Sequence, residues 1–177
     1  MKGLYVKFRN IMEYFLVFCF CGWIYESFWC EMVEKNHGFT NKGYLFGPWL
    51  MIYGFGMLLI VFILRRFKVT NGYLILLYAT LISTVVELIG SYIMEAMFGH
   101  FFWDYSPYFM NFQGRIAFKQ DLMFGLMALM GMKILLPKVD ILQEKYSDNI
   151  VHNLAAILII MLYFVDLIAR IWLGSNI

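Results

Sequence analysis

Charge is scarce in this chain of 177 residues. Only 15% are Asp, Glu, Lys or Arg, 62% are apolar, and the mean hydropathy is +0.70. Soluble domains carry about a quarter charged residues, so this composition excludes one and describes an integral membrane protein. Proline is rare, with three residues, so little interrupts long helical runs. Cys19, Cys21 and Cys30 contain no Cys-x-x-Cys pair, which removes the usual zinc and dithiol redox motifs. Cys19, Gly22, Glu26 and Cys30 share one helical face, a spacing that suits small residues at a helix contact or a soft-metal site. His37, His100 and His152 are scattered and form no ligand pair, so no metal is assigned.

Other motifs are missing too. Without GxxxxGK[ST] the chain is not itself an ATPase. Without GxSxG or HExxH there is no identifiable nucleophile or catalytic zinc site, so no catalytic residue and no cofactor are assigned. No exposed basic stripe is interleaved with aromatics, which argues against nucleic acid as a partner. The apolar run 11–24 is followed by Tyr25-Glu26-Ser27-Phe28-Trp29 rather than a small-residue cleavage pattern. The first helix is therefore expected to be retained as a span, and neither end shows a lipidation motif.

Long apolar runs are abundant. Segments 11–32, 44–64, 73–98, 116–136 and 150–173 meet the length rule for crossing a bilayer. They predict an all-α fold, a polytopic helical bundle of about five transmembrane helices in one membrane domain over 1–177. Lys2, Lys7, Arg9, Arg65, Arg66, Lys68, Lys133, Lys138 and Lys145 fall on one side of that arrangement, and Lys35, Lys42, Arg115, Lys119 and Arg170 on the other. Nine against five predicts a cytoplasmic N-terminus and an outside C-terminus.

Within the third segment, Thr80, Thr84, Glu87, Ser91 and Glu95 follow one another at steps of four, three, four and four. Such steps place all five on one narrow helical face. A carboxylate at bilayer depth costs about 3 kcal/mol on insertion scales, so two on one face point toward a protein-lined interior. Glu26, on the first segment, is the natural third carboxylate. Such a stripe suits an ion or polar-solute site, and it equally suits interhelical hydrogen-bonding adhesion.

Two connections are rich in glycine and aromatics. NHGFTNKGYLFGPW, 36–49, enters the second segment, and GHFFWDYSPYFMNFQGR, 99–115, links the third to the fourth. An interfacial aromatic belt accounts for Phe101, Phe102 and Tyr108. It accounts less well for Trp103, Asp104, Tyr105, Ser106, Asn111 and Arg115, which form a hydrogen-bonding group suited to an outer gate. Asp104 and Arg115 are expected to pair there. The first and third segments each carry two Glu residues and lead into such a loop, a layout compatible with a parallel two-helix repeat.

These residues resemble a known family, the bacterial ABC-transporter type IV or CmpB-like permeases. NKGYLFGPWLMIYGFG, 41–56, resembles its NRGFLxGPxxPIYGFG pattern. ELIGSYIMEAMFGHFFWDYS, 87–106, resembles its paired-Glu helix ending in WDYS, and GRIAFKQDLMFG, 114–125, its GRICL element. Lys42, Met51, Ala117 and Asp121 depart from the family's usual Arg, Pro, Cys and small hydroxyl residue. The resemblance implies transport and a place in a bacterial cell membrane. It also implies a separate ATPase polypeptide, for which 137–149 is the largest candidate docking surface on the cytoplasmic side, although no long coupling helix is evident. The lipid bilayer and a homo-oligomer complete the expected partners. The expected function is that of a permease component whose Glu26, Glu87, Ser91 and Glu95 take a cation or a cationic or polar solute. An accessory structural role and an intramembrane enzyme acting on a lipid-linked substrate are the alternatives.

Overall fold

The computed structural model describes residues 2–34 and 38–174, so Lys35, Asn36 and His37 lie outside it, as does the side chain of Glu31. Helix α1, Lys2–Ile24, continues as a π-helical stretch, Tyr25–Glu34. Helices α2, Met51–Arg66, and α3, Gly72–Phe98, follow. A small hairpin, β1 Asn111–Phe112 and β2 Ile116–Ala117, precedes α4, Phe118–Met130. A π-turn, Gly131–Leu135, joins α4 to α5, Leu136–Lys145, and α6 spans Ile150–Gly174. Among the described residues the fold is all-α apart from that two-residue ladder.

Among the described residues, four stretches are long and apolar enough to cross a membrane: Gly3–Phe28, Gly72–Phe98, Phe118–Lys145 and Ile150–Leu173. At 27 residues α3 reaches about 40 Å, more than the roughly 30 Å hydrocarbon thickness. With 16 residues α2 reaches only about 24 Å, and is shorter than the expected segment 44–64. Gly47 and Pro48 explain the difference. The Trp49 amide turns back to the Gly47 carbonyl at 2.8 Å, and the Leu50 amide donates to Cys19 at 3.2 Å instead of entering a helix.

The expected connection 137–149 is instead helical as far as Lys145. Pro137 lacks an amide proton and would break an α-helix. The π-turn ahead of it, closed by the Leu136 amide on the Gly131 carbonyl, absorbs that defect and carries the helix through.

The chain forms two compact units, Met1–Phe55 with Lys138–Ile177, and Gly56–Pro137. In the first, fully buried Arg9 donates to Asn153 at 2.5 Å and to the Ser147 carbonyl at 3.0 Å, and lies 3.5 Å from Glu13. Gln143 donates to the Asn10 carbonyl, and Tyr14 donates to Asp140, so α5 is tied to α1. Asp166 on α6 accepts the amides of Phe46 and Gly47 at 3.0 and 2.7 Å, fixing the glycine-aromatic loop. Elsewhere α6 shows the apolar exposure that suits lipid, at Leu154, Leu158, Leu162 and Val165.

In the second unit, the Asn71 side chain caps α3 by accepting the amides of Tyr73 and Leu74, and Gly99, at φ 77°, ends it. Lys133 donates to the Thr70 carbonyl at 2.7 Å. Helices α3 and α4 pack antiparallel, and Gly125 allows the closest approach. A Cβ there would lie 3.0 Å from the Cβ and 3.2 Å from the Cα of Thr80.

Candidate functional site

The face of α3 predicted from its spacing is the face that meets α4 and the loop before it. Ser91 is fully buried and Glu87 is 4% exposed. Glu95, nearer the helix end, keeps 45% of its side chain exposed. Glu26 belongs to the other unit, where its carboxylate accepts the Tyr53 hydroxyl at 2.6 Å.

The 99–117 loop is folded so that two of its side chains reach α3. Gln113 and Gly114, at φ 56° and 69°, turn the hairpin, in which Asn111 pairs with Ala117. Position 114 requires glycine. Its φ is left-handed, and a Cβ would stand 2.6 Å from both Asp104 Oδ1 and Ser106 Oγ. Asn111 stitches the loop by donating to the carbonyls of Ser106 and Tyr108 and accepting the Gly114 amide. The Tyr105 amide donates to the Gly114 carbonyl at 2.7 Å, and Trp103 Nε1 donates to the Arg115 carbonyl at 2.8 Å.

This folding delivers Arg115 and Tyr105 to the stripe. Arg115, 7% exposed, places one guanidinium nitrogen 2.5 Å from Glu95 Oε2 and another 3.3 Å from Ser91 Oγ. Its guanidinium carbon also lies 4.1 Å from the Tyr92 ring centroid and 4.6 Å from that of Phe101. A planar cation against two rings with a carboxylate at its edge combines cation–π contact with a charge-assisted hydrogen bond, and leaves Nε buried without a partner. The Tyr105 hydroxyl donates to Glu87 at 3.0 Å.

The expected pairing of Asp104 with Arg115 is not formed. Asp104 instead accepts the Ser106 amide at 2.9 Å, and Arg115 is turned inward to Glu95. A local carboxylate–amide turn needs no long side chain to be ordered, and so wins over a solvated ion pair. The Ser106 hydroxyl and amide together hold the Asp104 carboxyl below its ordinary value. A lowered folded pKa contributes order that is present above the unfolded value and lost as pH falls through the folded one. The Ser106 amide resonance is therefore expected to titrate with a midpoint below that of an ordinary aspartate, and to lose this titration in Asp104→Asn. A midpoint at or above the ordinary value would contradict the turn.

One contributor was not among the sequence candidates. Asp121, in the first turn of α4 and 7% exposed, has its carboxyl against Glu87 and Thr84. Its acidity was visible at a position where the family carries a small hydroxyl residue. Its partner was not, because that depends on the rotation of α4 against α3. From Thr80 to Glu95 the α3 stripe thus meets Gly125, then Asp121, then Arg115.

A family model described as "Putative ABC-transporter type IV" matches residues 13–171. No curated protein and no solved structure matches the chain. The match extends over nearly all of the sequence, including both glycine-aromatic loops, the acidic helix α3 and the Arg115 hairpin. With its long apolar helices and this match, the chain is a multi-pass membrane protein and belongs to that family.

Proposed function

We propose that this protein is a permease component that binds a cation, or a cationic or polar solute, at the carboxylates on the α3–α4 interface. The observation that carries this reading is the burial of Glu87 beside Asp121 on a membrane-length helix. Carboxylates at that depth are costly for a helix that only needs to adhere to its neighbour. Ser91 supplies a further oxygen on the same face, while Arg115 balances Glu95 at the end of the stripe. The hairpin loop, through Tyr105 and Arg115, covers the site and acts as its gate. The basic-residue asymmetry of the sequence supports a cytoplasmic N-terminus with this loop outside, provided α2 and the residues before it make a fifth crossing. The family supports a separate ATPase polypeptide as partner.

Interhelical adhesion is the competing reading, favoured by the Arg115–Glu95 pair that pins the loop. Thermal stability of purified wild type, Glu87→Gln and Glu95→Gln, titrated with sodium, potassium and choline chlorides and with pH, separates the two. The permease reading expects a cation or pH response that Glu87→Gln reduces at least several-fold. If both variants respond as wild type does, the stripe is adhesive only.

A further inference from the structure

We propose that Glu87 and Asp121 form a proton-binding carboxyl pair, so that the cation taken by the α3–α4 site is a proton. This rests on the cation-site reading above and narrows it. A hydrogen bond between two carboxyl groups needs one proton between them, since two carboxylates offer only acceptors. The two groups face each other across the α3–α4 contact, and both residues are more than nine-tenths buried. Asp121 Oδ1 is buried, and no described group donates a hydrogen bond to it. An ionised, solvent-free carboxylate oxygen left in that state is among the costliest groups a protein can hold, and protonation removes the charge.

The surrounding groups supply no other compensation for Asp121. From the loop, the guanidinium of Arg115 is engaged by Glu95 and Ser91, and Tyr105 donates to Glu87. From α3, the single hydroxyl proton of Thr84 is donated to the Thr80 carbonyl at 2.9 Å. No ion pair to Asp121 occurs among the described residues. A larger cation is disfavoured by space and by ligand count. Gly125, one turn beyond Asp121, brings α4 against the backbone of Thr80. Among the described residues no three His, Cys, Asp or Glu side chains converge, whereas calcium takes six to eight oxygens and magnesium six. The binding step balances simply. One proton bonds to one carboxylate oxygen and is shared with the other group, and its release leaves two adjacent anions that repel each other and favour reuptake.

Infrared difference spectroscopy of the full chain in lipid nanodiscs tests this through the C=O band of a protonated carboxyl. Wild type at neutral pH is expected to show one such band, sensitive to H₂O/D₂O exchange and lost in a single step on alkalinisation. Glu87→Gln and Asp121→Asn should each remove it, and Glu95→Gln should keep it. Wild type needs no substitution to give the decisive result, so a variant that fails to fold does not shield the proposal. Absence of the band in wild type, or its survival in both Glu87→Gln and Asp121→Asn, overturns the shared proton. If sodium, potassium or choline still stabilises wild type and not Glu87→Gln while the band is missing, the proton falls and the cation site stands. If neither response exists, both fall.

Discussion

Replacing Arg115 with alanine is expected to destabilise the protein by about 3 kcal/mol, the largest effect of any single loop substitution. The side chain is 7% exposed and makes three kinds of contact at once: the 2.5 Å pair with Glu95, the bond to Ser91, and stacking between Tyr92 and Phe101. Its removal empties the space between two rings and strips a buried hydroxyl of its donor. Lysine at 115 keeps the charge and loses the planar fork, so it recovers only part of the loss. Glu95→Gln should cost less than Arg115→Ala, because the Glu95 carboxylate is nearly half exposed and can be solvated. Unfolding in mixed micelles of the single and double variants gives the coupling. Arg115 and Glu95 should couple by about 1 kcal/mol or more, and Arg115 and Asp104 by clearly less. Stronger coupling to Asp104 would restore the pairing expected from the sequence and contradict the inward-facing arginine.

Adding one methyl group at Gly125 is expected to cost about 2 kcal/mol. The added Cβ would collide with the Thr80 hydroxyl and stand 3.2 Å from the Thr80 Cα, so rotating a side chain cannot relieve it and the helices must separate. Separation also lengthens the Asp121–Glu87 contact, which lies one turn away on α4. Gly56→Ala is the matched control. Its Cβ would meet only Val86 Cγ1 at 3.7 Å, an ordinary contact, and its expected effect is within about 0.5 kcal/mol. Thermal unfolding of the two variants side by side decides the matter, and equal stabilities would show that α3 and α4 are not packed at this distance.

The parts of this molecule that follow a period could be read from the sequence. The four-three-four-four spacing of Thr80 to Glu95 specifies one face of α3, and Glu87 and Ser91 are indeed buried there. The aromatic loops were visible for a similar reason, since glycine and proline mark where regular helix stops. What stayed hidden are pairings set by how elements rotate and fold back. Arg115 follows Gly114, which lies against Asp104, yet the left-handed turn at Gln113–Gly114 directs the arginine to Glu95. Asp121 stood out as an acid in the wrong place for its family, but its position against Glu87 is a property of two helices and not of either sequence. The helical state of 137–145 was missed because Pro137 reads as a breaker, while a π-turn five residues long absorbs it.

The central claim is that the carboxylates buried between α3 and α4 bind and pass a cation. Its most direct test is flux into vesicles that hold a pH-sensitive dye, with the purified chain reconstituted and a proton gradient imposed across the membrane. The expected result is that wild type collapses the gradient several-fold faster than empty vesicles, that Glu87→Gln falls to the empty-vesicle rate, and that Gly56→Ala behaves as wild type. Wild-type flux no faster than in empty vesicles, or flux unchanged by Glu87→Gln, would contradict the claim.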